Sequence, residues 1–333
     1  KKNIEKFKNS RDSIIFNDPY EYGTNLPAIS ILTPFLLEGA KYPKLFLITT
    51  VHYADIGGKF PGSRSVVNDI TEEGILIKPT KISTGNKLNS RLIENIINRS
   101  RTPAEMKFDL FAQYSVNTMA LKRLEGLWKK FGEEKINEAM NFLKDFSQNK
   151  VKKLLRSITD GTYEFEDFLD NDGVEEKTVV SLKVKIIKKG EVIKFDFSDS
   201  SDQVLGPVNT VRPVVISEVY FVLNDLLKGK VPKNSGILRN VEIITRKGSF
   251  LEVSFPVPVS AGSTETAQRI IDTICGALRK ALPETIPVAG SGTINTILIG
   301  GVDSHRKNSF VFHETLGGGS GATSSADGND AIH

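Results

Sequence analysis

Residues 45–58 read Leu45-Phe46-Leu47-Ile48-Thr49-Thr50-Val51-His52-Tyr53-Ala54-Asp55-Ile56-Gly57-Gly58. The first seven are apolar or β-branched, too few for an ordinary helix and suited to a pleated surface, so they read as a strand. The last seven are mostly polar or small and end in a glycine pair that favours a turn. In a straight strand, positions three apart point to opposite faces. His52 and Asp55 therefore converge only if the chain turns after the histidine, which Gly57-Gly58 would allow. Converged, an imidazole and a carboxylate would form half of a divalent-metal site, or a histidine base held by its acid partner. A purely structural histidine–carboxylate hydrogen bond fits the spacing equally well. The chain has only four histidines in 333 residues, so this placement carries information.

Outward from that strand the pattern stays β-rich toward the N-terminus. Residues 13–16 and 29–32 are further short strands closed by Asn, Asp, Pro or Gly. The first of them ends in Asn17-Asp18-Pro19-Tyr20, which reads as an Asx turn on composition alone. Toward the C-terminus, Thr102-Pro103-Ala104-Glu105 has the form of a capping box with proline at the first helical position. Met106, Leu110, Tyr114 and Leu121 follow at helical intervals, and two more helical stretches are expected near 133–146 and 150–158. Residues 179–187 and 192–197 flank Lys188-Lys189-Gly190-Glu191 as the arms of a hairpin. Helical spacing returns at 211–227 and 264–282, and strands are expected at 241–245, 251–255 and 309–312. Strands and helices cluster and do not alternate, which predicts an α+β fold with mixed, largely antiparallel sheets and a central helical segment. The expected parts are 1–100, 101–160 and 161–333, the last ending in a Gly-rich loop, either separate or packed as one unit.

Composition narrows the function classes. With 39% hydrophobic and 25% charged residues, the chain resembles ordinary globular proteins with a sizeable core. The 44 basic and 40 acidic residues nearly balance, so no nucleic-acid partner is expected. The longest apolar stretches, 45–51 and 211–222, fall far short of the roughly 20 residues a membrane span needs. The N-terminus is charged and lacks a secretory h-region. A single cysteine permits no internal disulfide, which suits a reducing, cytoplasmic compartment. That cysteine, Cys275, sits on an apolar helical face and reads as a small core residue. Both ends look cut.

Two further segments are ambiguous. Residues 195–202 end a strand in acids and hydroxyls before Gly206-Pro207 and Asn209, fitting either a polar clasp or a strand-to-helix turn with its cap. Gly317-Gly318-Gly319-Ser320-Gly321 could turn backbone N–H groups onto an anion. It lacks the Gly-Lys-Ser/Thr of a Walker loop, and a plain mobile loop explains the glycines as well.

Taken in order, these segments resemble the hydantoinase B and 5-oxoprolinase B family, which includes the corresponding subunits of acetone and acetophenone carboxylases. The resemblance runs through Asn17-Asp18-Pro19-Tyr20 with Gly23-Thr24, His52 with Ala54-Asp55 and Gly57-Gly58, and Pro61-Gly62-Ser63. It continues through Asp109, Gln113 and Asn117, Asp196-Phe197-Ser198, Gly206-Pro207 and Asn209, and Asn234-Ser235-Gly236. Glu265-Thr266 with Gln268-Arg269, Gly292-Thr293 with Asn295, Glu314-Thr315 with Gly317 to Gly319, and Asp327-Gly328 complete it.

The resemblance implies a cytoplasmic complex in which an A-type subunit uses ATP to phosphorylate the substrate. The B-type subunit then opens a cyclic amide or carboxylates a ketone, with a divalent metal in the carboxylase branch. ATP would be used by the partner and not bound here, and self-association is a further option. His52, Asp55, Asp18 and Glu314 are the implied catalytic residues. Asn17, Gly57, Gly58, Gly317, Gly318 and Gly319 would contact substrate or anion, and His52 with Asp55 would hold a metal. The chain also departs from the family: Asn25-Leu26-Pro27-Ala28 stands where His-Leu-Pro-Asp is usual, and Tyr53 replaces a second histidine. Asparagine binds divalent metals poorly and alanine not at all. The alternatives are a non-catalytic scaffold or decayed remnant, and a small-molecule binding module. Family members extend beyond both ends of the segment.

Overall fold

The computed structural model describes residue 7 and residues 10–64, 66–85 and 87–332. The charged N-terminal stretch at 1–6 and the final His333 lie outside the described residues. Two compact units divide the chain. One comprises Lys1–Ser65, Ile70–Glu133 and Leu298–His313; the other comprises Val66–Asp69, Glu134–Ile297 and Glu314–His333.

The first unit is built on a five-stranded antiparallel sheet of β1 (Ser13–Phe16), β2 (Ala28–Phe35), β3 (Leu45–His52), β4 (Thr80–Thr84) and β5 (Lys87–Leu88). Its strand order is β3-β2-β1-β4-β5. Strands β1 and β2 are buried almost throughout, whereas β3 at the edge alternates between half-buried and exposed positions, which sends Phe46 and Ile48 outward. The register Ala28↔His52 through Phe35↔Leu45 runs without a bulge, so His52 stands at the last paired position of the edge.

Two short helices, α1 (Ile70–Glu73) and α2 (Ser90–Ile97), precede the long α3 (Pro103–Ser157). Gly132 takes φ 76° and ψ 164° inside α3, a conformation glycine tolerates and other residues avoid, so the helix is broken there. The first segment lays Met106, Leu110, Leu121 and Trp128 into the core, at the intervals expected of one helical face. On the same face Gln113 Nε2 donates to the carbonyls of Ile29 and Thr49 (2.9 and 3.0 Å), and Asn117 Nδ2 to that of Ile31 (3.0 Å). These two amides, which the sequence placed at helical spacing, hold α3 to the sheet backbone.

The second unit holds β6 (Gly161–Leu169), β7 (Val180–Lys189), β8 (Val192–Asp196) and β9 (Val241–Ile244), hydrogen-bonded in that order. The first three are antiparallel and β9 joins β8 in parallel. Helices α4 (Arg212–Leu226) and α5 (Ala267–Arg279) pack together, and α5 lies on β6 and β7. The core gathers the inward-facing alternate residues of the hairpin, Leu182, Val184, Ile186, Ile193 and Phe195, against Val215, Val219, Ile270 and Ile274. The predicted hairpin and both helices are present. Strand β6 escaped the sequence reading because its outer positions carry Glu164 and Glu166, which pair across the sheet with Lys185 and Lys183. The strand expected at 251–255 is instead a set of turns. Leu251 is buried, but its neighbours' N–H groups reach turn carbonyls, Phe250 to Ser201 and Val253 to Thr210.

A hairpin of β10 (Asn295–Val302) and β11 (Ser309–Leu316) has residues in both units. In the first unit it approaches Pro61–Ser63 so closely that a Cβ on Gly300 would lie 2.3 Å from that of Pro61. No helix among the described residues is long and apolar enough to cross a membrane.

Candidate functional site

The end of β3 and the segment after it carry the sequence's leading candidates, and the chain does turn there. Gly57 and Gly58 have φ of 81° and 99°, and a Cβ on either would meet backbone within 2.8 Å. Among the described residues no hydrogen bond or ion pair joins His52 to Asp55, and each has other partners. Asp55 points inward with its carboxylate wholly buried. Its Oδ1 accepts from Gly62 N (3.0 Å) and from the Arg101 guanidinium (2.9 Å); its Oδ2 accepts from Arg101 N (2.7 Å) and Gly57 N (3.3 Å). Arg101 also donates to the carbonyl of Gly58 (2.8 Å). Asp55 thus ties the 55–62 turn to the start of α3.

His52 is the exposed last residue of β3. Its Nε2 accepts from Arg64 Nη2 at 3.3 Å, and its ring stands 6.2 Å from that of His313 on β11. Packing against neighbouring side chains, the Arg64 guanidinium and His313 together lower the His52 pKa from 6.5 to about 4. The imidazole is therefore neutral at pH 7, which suits an acceptor for Arg64. Between pH 6.5 and 4 the unfolded chain takes up a proton that the folded one refuses, so this contribution to stability is complete above pH 6.5 and is lost as pH falls toward 4. NMR titration should give His52 a midpoint near pH 4, and His52→Gln should flatten the acid limb of the stability curve by up to one proton. A midpoint near 6.5 would contradict this environment.

The remaining candidates separate. Asn17 is fully buried and Asp18 nearly so. Asp18 Oδ1 accepts from Tyr20 N (3.0 Å) and its carbonyl from Gly23 N (2.7 Å), the Asx turn expected from composition. Glu314 is exposed on β11, and the two-residue alternation of a strand turns it to the face opposite His313. Gly317, Gly318 and Gly319, in the second unit, form neither an open anion cradle nor a plain loop. Gly319 N donates to Ile332 O (2.9 Å) and Ser320 N to Asn329 O (2.9 Å), and a Cβ on Gly317 or Gly318 would lie 2.3 Å from Ala331 O or Ser291 Cβ. Glycine is required there because neighbouring stretches of chain leave no room for a side chain. Residues 195–202 and Asn209 resolve in the same way. Asn209 makes four hydrogen bonds to the backbone of 204, 206 and 258, and Asp196 caps Ser198. Cys275 is half-buried, with its thiol pushed up to about 12 by burial and by Asp272 and Asp225.

The donor set does not fit the implied metal. Asp55 has its oxygens taken by a guanidinium and backbone N–H groups. Asn25 Oδ1 accepts from Ala28 N (3.1 Å), and Tyr53, buried, donates its hydroxyl to Gln113 Oε1 (2.8 Å). Among the described residues no three His, Cys, Asp or Glu side chains are grouped to hold a metal ion. Sequence reasoning missed Arg64, Arg101 and His313. The nearest signals were their adjacency to Pro61-Gly62-Ser63, to the Thr102 cap and to Glu314.

The profile of the hydantoinase B/oxoprolinase family matches residues 1–333. This chain belongs to the hydantoinase B family. The hydantoinase B chain is 33% identical over 311 residues to a protein of Methanocaldococcus jannaschii, covering 93% of the chain and 53% of that protein. It is 27% identical to 5-oxoprolinase 1 of Arabidopsis thaliana, covering 97% of the chain and 26% of the enzyme. Its fold matches the crystal structure of ATP-dependent caprolactamase from Pseudomonas jessenii with a TM-score of 0.82 at 25% identity, over 96% of the chain and 55% of the caprolactamase chain. The hydantoinase B chain thus spans from a quarter to about half the length of these relatives.

Proposed function

We propose that this chain is the B-type part of an ATP-dependent enzyme that opens a cyclic amide, or carboxylates a ketone, in a cytoplasmic complex whose A-type partner uses the ATP. The family match over the whole chain carries this reading, and the similarity to 5-oxoprolinase 1 of Arabidopsis thaliana supports the cyclic-amide branch, while the fold is equally like that of a caprolactamase and of an acetone carboxylase. Within the site we assign the chemistry to His52 with Arg64 and His313. A neutral imidazole donates or accepts a hydrogen bond without needing to lose a proton first, and an adjacent guanidinium favours negative charge on a carbonyl or phosphoryl oxygen as the bond to it breaks. Asp55 and Asn17 act as positioning residues that hold the strand end in place.

A second reading, a scaffold that keeps the fold without the chemistry, is favoured by Asn25, Ala28 and Tyr53, each of which bonds within the protein. One experiment separates the two. In the assembly that contains this chain, phosphate release and ring opening are measured over a lactam, a hydantoin, 5-oxoproline and a ketone. ATP-dependent turnover of one of them, reduced about 100-fold or more in kcat by His52→Ala with the melting curve unchanged, is the expected result. Full turnover in His52→Ala, or turnover of none of the substrates, would leave only the scaffold.

A further inference from the structure

The first segment of α3, in the first unit, has a second apolar face that none of the described residues covers. Met106, Leu110, Leu121 and Trp128 are buried on one side of α3, yet Phe108 is 75% exposed, Val116 52%, Met119 55% and Leu127 48%. At 100° per residue these four lie on the side opposite the core. Positions 105, 108, 112, 116, 119, 123, 127 and 130 advance by three or four at every step, which is one continuous row along roughly seven turns. Five of its eight positions, Phe108, Ala112, Val116, Met119 and Leu127, are exposed and apolar, and so long a run of exposed apolar side chains marks an interaction surface and not ordinary scatter.

We propose that this face is a two-fold interface between two copies of the chain, paired antiparallel through the first segment of α3. The row is its own complement. When two copies are placed about an axis between residues 117 and 118, Phe108 meets Leu127 of the second copy, Val116 meets Met119, and Glu105 meets Lys130. A two-fold contact requires that residue i facing j implies j facing i, and each of these pairs satisfies it. Charge favours the same orientation. On the row itself the charges are Glu105 at the start and Arg123 and Lys130 toward the far end, so antiparallel pairing sets acid against base while a parallel pair would set like against like. The antiparallel arrangement also opposes the two helix dipoles. Residues 112 and 126, alanine and glycine, give the backbones room to approach.

The full chain is tested by analytical ultracentrifugation over a dilution series. Wild type should dimerise, and Met119→Glu, which sets two carboxylates near the axis, should raise the dissociation constant about tenfold or more. The circular dichroism and Trp128 fluorescence of that variant should stay native, since residue 119 is exposed. Glu105→Lys and Lys130→Glu should each weaken the dimer, and the double exchange should restore it, a recovery that a general loss of folding cannot produce. Val116→Cys with Met119→Cys should cross-link between copies on mild oxidation. A monomer at every concentration, a dimer indifferent to Met119→Glu, or a charge exchange that fails to restore association would each overturn the proposal.

Discussion

Replacing Asp55 by alanine should destabilise the first unit by about 3 kcal/mol, whatever it does to activity. The carboxylate is wholly buried and accepts from a guanidinium and three backbone N–H groups. Breaking a buried pair by removing one partner costs about 3–5 kcal/mol, chiefly because the other charge is left uncompensated. Arg101 is 31% exposed, so water recovers part of its solvation and the lower end of that range applies. Asp55→Asn keeps the shape but loses the charge and should cost less than alanine. The readout is denaturant unfolding followed by the fluorescence of Trp128, the single tryptophan in the chain, which packs 5.0 Å from Phe35 in the same unit. An Asp55→Ala protein with the wild-type unfolding midpoint would show that the turn does not depend on this carboxylate. The positioning role assigned to Asp55 would then be wrong.

Asn17→Ala should cost about 2–4 kcal/mol by the same readout, because three strong hydrogen bonds end on one buried amide. Asn17 Nδ2 donates to the carbonyls of Leu26 (2.7 Å) and Ile75 (2.8 Å), and its Oδ1 accepts from Ile77 N (2.6 Å). Removing it leaves three backbone groups without partners away from water, each worth about 1 kcal/mol or more. Asn17→Asp is nearly isosteric but turns a carboxylate toward two carbonyl oxygens. Its stability should therefore fall as pH rises above the ordinary Asp range, since the folded state favours the protonated acid. If Asn17→Ala left unfolding unchanged and weakened only substrate binding, the direct substrate contact expected from sequence would be the better account.

The two predictions share a cause that also explains which expectations survived. Asn17, Asp18, Asp55 and the glycines at 57–58 and 317–319 all drew attention because polar or flexible residues ended a strand. The structure places most of them in contacts to backbone. A strand end needs acceptors for the N–H groups that leave the ladder, and Asn and Asp meet that need with the same atoms that would bind a ligand. His52 differs, because its partners are the side chains of Arg64, 12 residues on, and His313, on a strand far along the chain. No local spacing could have brought those three into one reading.

By itself the sequence determined the class of the fold and most of its elements: the strands at 13–16 and 45–52, the 180–196 hairpin, and the helices from Pro103, Arg212 and Ala267. Period and punctuation are short-range properties that the chain carries with it. The order of those motifs likewise carried the family. Tertiary structure alone decided the rest. Strand β6 exists because its charged face is paired across the sheet, and residues 251–255 are turns because their N–H groups find partners other than a ladder. Asp55 turns inward because Arg101 is there to neutralise it, whereas His52 faces outward toward Arg64. Which neighbour meets a side chain depends on segments tens to hundreds of residues apart in sequence, and that information appears only once the chain has folded.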